Sequence, residues 1–373
     1  MKTERLISIM LFLTNCLIFS PAWAGWSAIS LQPSGNYAGS EASSVSEGQI
    51  GGTGIVITSQ GDQVPHPAYW SNATPSGYKD LFSSVSGQVL AVGGGAQAGY
   101  LDMWAMWWKG TTQHYPVNSI NSISSFIYGL DSGWAVGSLQ PQWDGPQKAT
   151  IWKLTDTYSE APVSLAPAGS TDSRLFAITG ASATDPGKQA GMVDGNAAYW
   201  SGTAASYVNL HPAGAESSIA RAASGDFQAG WVETHPDVYR AARWSGTAQS
   251  LLDLQPEISG ITDSQIFGMA DGVEVGRIYF GSNAILDSRA FLWWDSKDDY
   301  VNLQELLPQE YTASRAEAVD WFDGKLWVAG TAWNGTLGRE EAMLWTYYSV
   351  PEPSTFLLLG AGVGSLLFWR RRS

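Results

Sequence analysis

The chain has 373 residues, with 20 basic and 34 acidic side chains, four histidines and a single cysteine. A net charge of −14, without a basic run in the body of the chain, excludes the cationic surface on which nucleic-acid recognition depends. Only 14% of the residues are charged, while tryptophan (19) and glycine (41) are abundant, and no long helical period runs through the body.

Residues 1–24 read as a secretory leader. Lys2 and Arg5 form a basic start, Leu6 to Phe19 an apolar core, and Ala22-Trp23-Ala24 a small-x-small site for signal peptidase. Cleavage there starts the mature chain at Gly25. It also removes Cys16, so the mature chain has no thiol for a disulfide, a metal or a nucleophile. An exported chain of this kind is held by core burial alone, for which it is long enough.

Residues 25–349 carry a repeat. Ala197-Ala198-Tyr199-Trp200-Ser201-Gly202-Thr203-Ala204 returns 44 positions later as Ala241-Ala242-Arg243-Trp244-Ser245-Gly246-Thr247-Ala248. A tryptophan box recurs at Trp70, Trp108, Trp152, Trp200, Trp244, Trp293 and Trp345, at intervals of 38 to 52 residues. A short segment centred on leucine follows most boxes, as in Val163-Ser164-Leu165-Ala166-Pro167 and Val208-Asn209-Leu210-His211-Pro212. A glycine-bearing apolar segment precedes each box: Gly51, Gly93, Gly137, Gly191, Gly230, Gly276 and Gly330 mark the seven. Runs of four to six residues rich in Val, Ile, Tyr and Trp, parted by Gly, Asn, Asp, Ser and Pro, indicate short antiparallel strands.

A period near 45 residues with four such runs predicts an all-β fold, a β-propeller with one blade per repeat. Seven boxes give seven blades. Trp104 and Trp107 compete with Trp108 for the register of the second box, and a misplaced box would give six or eight. Gly25 to Pro33 has the form of a late leucine segment with no repeat before it, whereas the repeat of Trp345 lacks one. The N-terminal strand is therefore expected to complete the last blade and close the ring. Ala290-Phe291-Leu292-Trp293 and the glycine segments ahead of it resemble HAF-type extracellular repeats, a resemblance that implies a fold and no activity.

The seven box tryptophans are expected to pack between blades, because every repeat has one. Trp104, Trp107, Trp143, Trp294, Trp321 and Trp333 fall outside the register. Of these, Trp104, Trp107, Trp294 and Trp321 are the candidate sugar-stacking residues, since an exposed indole face suits a sugar ring. His66, His114, His211 and His235 are dispersed, three of them before proline, and read as turn or loop residues. No nucleophile elbow and no phosphate loop occurs. The aspartates of Asp295–Asp299 and Asp320–Asp323 lack calcium-loop spacing and suit turns. No catalytic residue, metal site or cofactor is assigned, although propellers can bring two carboxylates from distant blades to one mouth.

Residues 350–373 form a tail: Val350-Pro351-Glu352-Pro353-Ser354, an apolar segment from Phe356 to Trp369, then Arg370, Arg371 and Arg372. As a helix the apolar segment covers about 21 Å, short of a hydrocarbon core of roughly 30 Å, and bilayer thinning and the arginine stems can make up the difference. A single transmembrane helix at about 355–369 is expected, with the three arginines as a stop on the inner side. Without leader and tail the body holds 15 basic and 32 acidic residues, a net of −17. The tail closely resembles the PEP-CTERM sorting signal. That resemblance implies a Gram-negative bacterium that makes exopolysaccharide. It also implies an exosortase that reads Pro351, Glu352 and Pro353, transient anchoring in the inner membrane, and delivery to the cell surface or extracellular matrix. The function expected is a non-catalytic propeller binding exopolysaccharide or another surface component, the alternatives being a glycan-cleaving propeller or a structural spacer.

Overall fold

The computed structural model of the chain describes residues 25–117, 122–281 and 286–348. The leader with Ala22 and Ala24, the Pro351-Glu352-Pro353 tripeptide, the apolar segment and Arg370 to Arg372 lie outside the described residues. Among the described residues no helix is long and apolar enough to cross a membrane. The compact body of the propeller comprises Ser27–Thr346.

Seven four-stranded sheets form the seven expected blades. From the centre outward, blade 1 is Tyr37–Ser46, Gln49–Ile57, Gln63–Trp70 and Tyr78–Asp80; blade 2 is Gly87–Gly93, Ala96–Leu101, Trp104–Trp108 and His114–Pro116. Blade 3 is Ser124–Asp131, Trp134–Gln140, Lys148–Lys153 and Val163–Ser164; blade 4 is Ser173–Thr179, Lys188–Val193, Asn196–Trp200 and Val208–Asn209. Blade 5 is Ser217–Ser224, Phe227–His235, Val238–Trp244 and Leu252–Asp253; blade 6 is Asp263–Ala270, Val273–Tyr279, Ser288–Ser296 and Asp299–Asn302. Blade 7 takes Tyr311–Phe322, Lys325–Asn334 and Arg339–Tyr348 from one end of the chain and Gly25–Ser30 from the other.

The N-terminal strand closes the ring. Ser27 and Thr346 share a hydroxyl hydrogen bond (2.7 Å), Ser30 donates to Glu341 (2.8 Å), and the Leu31 amide donates to the Ala342 carbonyl (2.7 Å). Blade 7 thereby gains the fourth strand that its own repeat lacks, and its outer edge is paired.

Inner and second strands are joined by tight turns at one face of the ring. At Asp271-Gly272 and Asp323-Gly324 both residues have positive φ (46° and 81°, 51° and 70°), the backbone of a two-residue hairpin turn whose twist matches the strands. This is the role of Asp323 in the Asp320–Asp323 stretch.

Each blade buries both faces against its neighbours, and the same side chains do this at every seam. All seven box tryptophans are fully buried. The indole N–H donates to the carbonyl of the late leucine of the preceding blade in seams such as those of Trp70 to Leu31 (2.8 Å), Trp200 to Leu165 (3.1 Å) and Trp345 to Leu303 (3.1 Å). The equivalent nitrogens of Trp108, Trp244 and Trp293 are buried without a partner, so packing rather than hydrogen bonding is what the seams have in common.

A second recurrent contact is a serine near the start of the inner strand. Its Oγ accepts the backbone N–H of the residue three before the box tryptophan of the preceding blade. The pairs are Ala105 to Ser125, Ala149 to Ser173, Ala197 to Ser218, Ala241 to Ser264, Ala290 to Ser314 and Ala342 to Ser40, all at 2.8–3.0 Å. At the seventh seam the donor position is Pro67, which has no N–H, and the acceptor position is Gly87, which has no hydroxyl. Donor and acceptor are missing together, so no buried N–H is stranded.

Candidate binding site in the central channel

Every inner strand carries a β-bulge against its second strand at the same level of the ring. The register slips between Ala42 and Ser44, Val89 and Ala91, Ile127 and Gly129, Leu175 and Ala177, Ala220 and Ala222, Ile266 and Gly268, and Ala316 and Ala318. The residue before each slip is buried in the blade. The extra residue is ejected into the channel.

A glycine on the second strand stands opposite every bulge: Gly52, Gly99, Gly137, Gly191, Gly230, Gly276 and Gly330. A Cβ there would lie 1.9–2.1 Å from a carbonyl oxygen of the inner strand, closer than atoms can approach. The glycines therefore exist to let the bulged backbone come close. Five of the seven glycine segments read from the sequence contain this glycine. In blade 1 it is Gly52 rather than Gly51. In blade 2 it is Gly99, because the segment ending at Gly93 is itself the inner strand.

The ejected residues are Ser43, Leu90, Tyr128, Phe176, Arg221, Phe267 and Glu317, one per blade. All seven line a cavity of about 240 Å³ on the side where the inner strands begin. They also line a smaller one of about 160 Å³ on the turn side. They form a waist between the two. The first cavity is completed by Glu41, Arg315 and Thr331; the second is walled by apolar residues such as Val92, Leu130, Met269 and Val319.

Charge in the channel is divided. Around blades 7 and 1, Arg315 gathers three carboxylates: Glu317 at 3.1 Å, Glu340 at 2.5 Å and Glu41 at 3.5 Å. Burial pushes the Glu41 carboxyl up to about 7, Arg315 opposes this, and Glu340 adds to it. Glu340 is also buried, but its hydrogen bond to Arg315 wins and its pKa is lowered. Around blades 4 to 6, Arg221 lies between the rings of Phe176 (4.5 Å) and Phe267 (5.9 Å). Arg277 lies over Phe267 (4.8 Å) and donates twice to the Gln265 amide oxygen (3.2 and 3.0 Å). Burial lowers the pKa of both guanidinium groups.

The four candidate tryptophans do not form one site. Trp294 and Trp321 come together, with ring centroids 6.5 Å apart, near the turn face of blades 6 and 7. Each pairs with a residue at the start of a second strand, Val273 and Leu326. Trp104 is exposed, but it follows the turn between second and third strands and so belongs to the opposite face. Trp107 is 1% exposed and stacks on Tyr115 (4.7 Å), so the expectation of a ligand platform there is corrected. Successive strand residues point to opposite faces. Trp107 and Trp108 thus fill the two seams on either side of blade 2. Of the remaining tryptophans outside the register, Trp143 is exposed on the loop between second and third strands of blade 3, and Trp333 is partly buried.

His66 departs from the reading as a turn residue: it is buried within a strand, with Nδ1 2.7 Å from Asp80. Among the described residues no group of three or more His, Cys, Asp or Glu is placed to hold a metal ion.

The channel residues were not read from the sequence. Their signal is local: one unmatched residue between a buried apolar residue and a small one, as in Ala220-Arg221-Ala222 or Ile266-Phe267-Gly268. In five blades a glycine follows the first of these by ten positions, as in Ile127 and Gly137.

Solved structures are similar to this chain at low sequence identity. A prolyl endopeptidase structure aligns with 85% of this chain and 51% of its own at 12% identity and a TM-score of 0.50. A puromycin-hydrolyzing peptidase of Mycobacterium tuberculosis aligns over 83% of this chain and 61% of its own (12%, 0.39). Trypanosoma rangeli sialidase aligns over 87% and 60% (10%, 0.43). This chain thus spans about half to six-tenths of the length of these proteins, and its likeness to the prolyl endopeptidase is one of fold alone. No curated protein matches the sequence. Residues 349–372 match the PEP-CTERM protein-sorting motif, so the propeller is followed by a signal that implies export and membrane-anchored processing by an exosortase.

Proposed function

We propose that this is an exosortase-processed surface protein whose propeller is a non-catalytic binding module for exported polysaccharide, taken up at the central channel. Signal peptidase at Ala22 and Ala24, exosortase at Pro351 to Pro353, and arrest by Arg370 to Arg372 complete its route to the cell surface or matrix. One observation carries the reading. The seams repeat the same residues from blade to blade, while the bulge position, which makes no seam, differs between all neighbouring blades. A cavity lined by one differing side chain from each blade suits a ligand better than a spacer. Aromatic faces at Tyr128, Phe176 and Phe267 suit the C–H faces of a sugar, with Trp294 and Trp321 as an outer contact on the turn side.

Glu41 supports a second, hydrolytic reading, since a carboxyl group near pKa 7 can serve as a general acid. Against it, Glu41, Glu317 and Glu340 all converge on Arg315 instead of facing each other across a gap that could hold a glycosidic bond.

Co-sedimentation with the producing organism's exopolysaccharide, with new reducing ends assayed in the same tubes, separates the readings. Retention without new ends, lost in the double variant Phe176→Ala and Phe267→Ala, is the expected result. New reducing ends would make it a hydrolase, and no retention would leave a spacer.

A further inference from the structure

The waist contains two charged residues, and they are treated differently. Glu317 is neutralised by Arg315 at 3.1 Å. Arg221 makes no such contact: among the described residues no carboxylate forms an ion pair with it, the charge of Glu317 reaches it only at longer range, and its Nε is buried without an acceptor. Its contacts are the ring faces of Phe176 and Phe267, which cover the guanidinium plane and leave the N–H edge for an in-plane partner. Arg277 adds a second guanidinium over Phe267, and its own acceptor is the neutral amide of Gln265. A guanidinium largely withdrawn from water and held without an ion-paired carboxylate is costly to a fold. Placed on a bulge that every blade uses to aim a side chain into the channel, it is a group reserved for something that enters.

We propose that Arg221, supported by Arg277, seats the carboxylate of an acidic sugar unit, such as the terminal uronic acid of a polysaccharide chain. The guanidinium fork matches a planar carboxylate by two parallel hydrogen bonds. Tyr128, which carries no guanidinium over its ring, supplies a face for the sugar ring. Glu41 and Glu317, in the same cavity, are acceptors for its hydroxyls. The cavity of about 240 Å³ is of a size to take a sugar unit. The net charge of −17 disfavours a long polyanion along the outer surface, which selects an end unit over an internal run. This inference rests on the polysaccharide-binding reading and names the unit recognised.

The test is titration calorimetry of the purified protein with glucuronate, glucose and sulfate, set beside the co-sedimentation assay. Saturable binding of glucuronate at least tenfold tighter than of glucose or sulfate is expected. Arg221→Gln is expected to lower glucuronate affinity at least tenfold without lowering the melting temperature, and Arg221→Lys to recover part of it. Equal binding of glucuronate and glucose, or of glucuronate and sulfate, would overturn the proposal, as would an Arg221→Gln protein that binds as the wild type does. Polysaccharide retention with no glucuronate binding would overturn it while leaving the wider reading standing; loss of retention as well would remove both.

Discussion

At the seams between blades the same residues recur around the ring, whereas at the waist of the channel no two neighbours are alike. The tryptophan of the box is fully buried at all seven seams, and the serine contact is present at six. The bulge residue runs Ser, Leu, Tyr, Phe, Arg, Phe, Glu. Both positions are set by the same repeat and both lie inside the molecule, so burial does not explain the contrast. A seam must satisfy an identical neighbour, which leaves one good solution that is copied. The waist residues meet differing side chains across the channel, such as Tyr128 with Phe176 and Glu317 with Arg315, and not a copied neighbour. The difference teaches that stability in this protein is kept in the seams and that the channel is free to specialise.

The sharpest way to break the comparison is to remove a seam tryptophan. Trp200→Ala deletes a fully buried ring and its hydrogen bond to the Leu165 carbonyl, which are packed with Ile151, Leu175 and Val193. Loss of about 3–5 kcal/mol is expected for a large aromatic truncated in a core. Urea unfolding measures it, with Leu90→Ala at the waist as the comparison, expected to cost much less. Equal losses at the two positions would show that the waist is part of the stabilising core and not a free surface.

That contrast also decides what could be read in advance. Trp70, Trp152, Trp200 and the other box residues were legible because a seam repeats and the sequence displays the repeat. The closing strand at Ser27 to Leu31 was legible because a late segment stood without its own repeat. Arg221, Phe267 and Glu317 were not, because a residue that differs in every copy looks like noise in a periodic signal. His66 and Trp107 were misread for a related reason: a sheet covered on both faces gives no exposed side to which an alternating residue can be assigned. The serines passed unnoticed because Ser is common in turns, and only the pairing of Ala149 with Ser173, or of Pro67 with Gly87, gives them a role.

The channel should also respond to pH in a way the seams do not. Glu41 has a folded pKa of about 7 against 4.5 for an ordinary glutamate. The folded state therefore holds its proton more tightly than the unfolded chain. Its contribution is fully present below about pH 4.5 and is lost as pH rises through 7. Between pH 5 and 8 the wild type should lose stability, and Glu41→Gln, which cannot ionise, should lose less, by on the order of 2 kcal/mol at about 1.4 kcal/mol per pKa unit. Glu274 and Asp320, whose pKa values burial also raises, leave a residual slope in the variant. Melting temperatures of both proteins across that range test the idea, and parallel curves would refute the raised pKa of Glu41.

The serine contact offers the finest test, because one seam already lacks it. In Ser173→Ala the Ala149 N–H loses its acceptor at 3.0 Å inside a buried seam. The expected loss is about 1 kcal/mol for the hydrogen bond, rising towards 2 if no water reaches the stranded N–H. Hydrogen exchange at Ala149 should quicken while exchange at the other seams stays unchanged, since each blade touches only its neighbours. If neither stability nor exchange changes, the serine fills space and the joint absence at Pro67 and Gly87 has no energetic meaning. If both change, that absence is compensation: once proline removes the donor, the acceptor has nothing to hold, and glycine at 87 fits where a Cβ would lie 2.5 Å from the Tyr100 carbonyl.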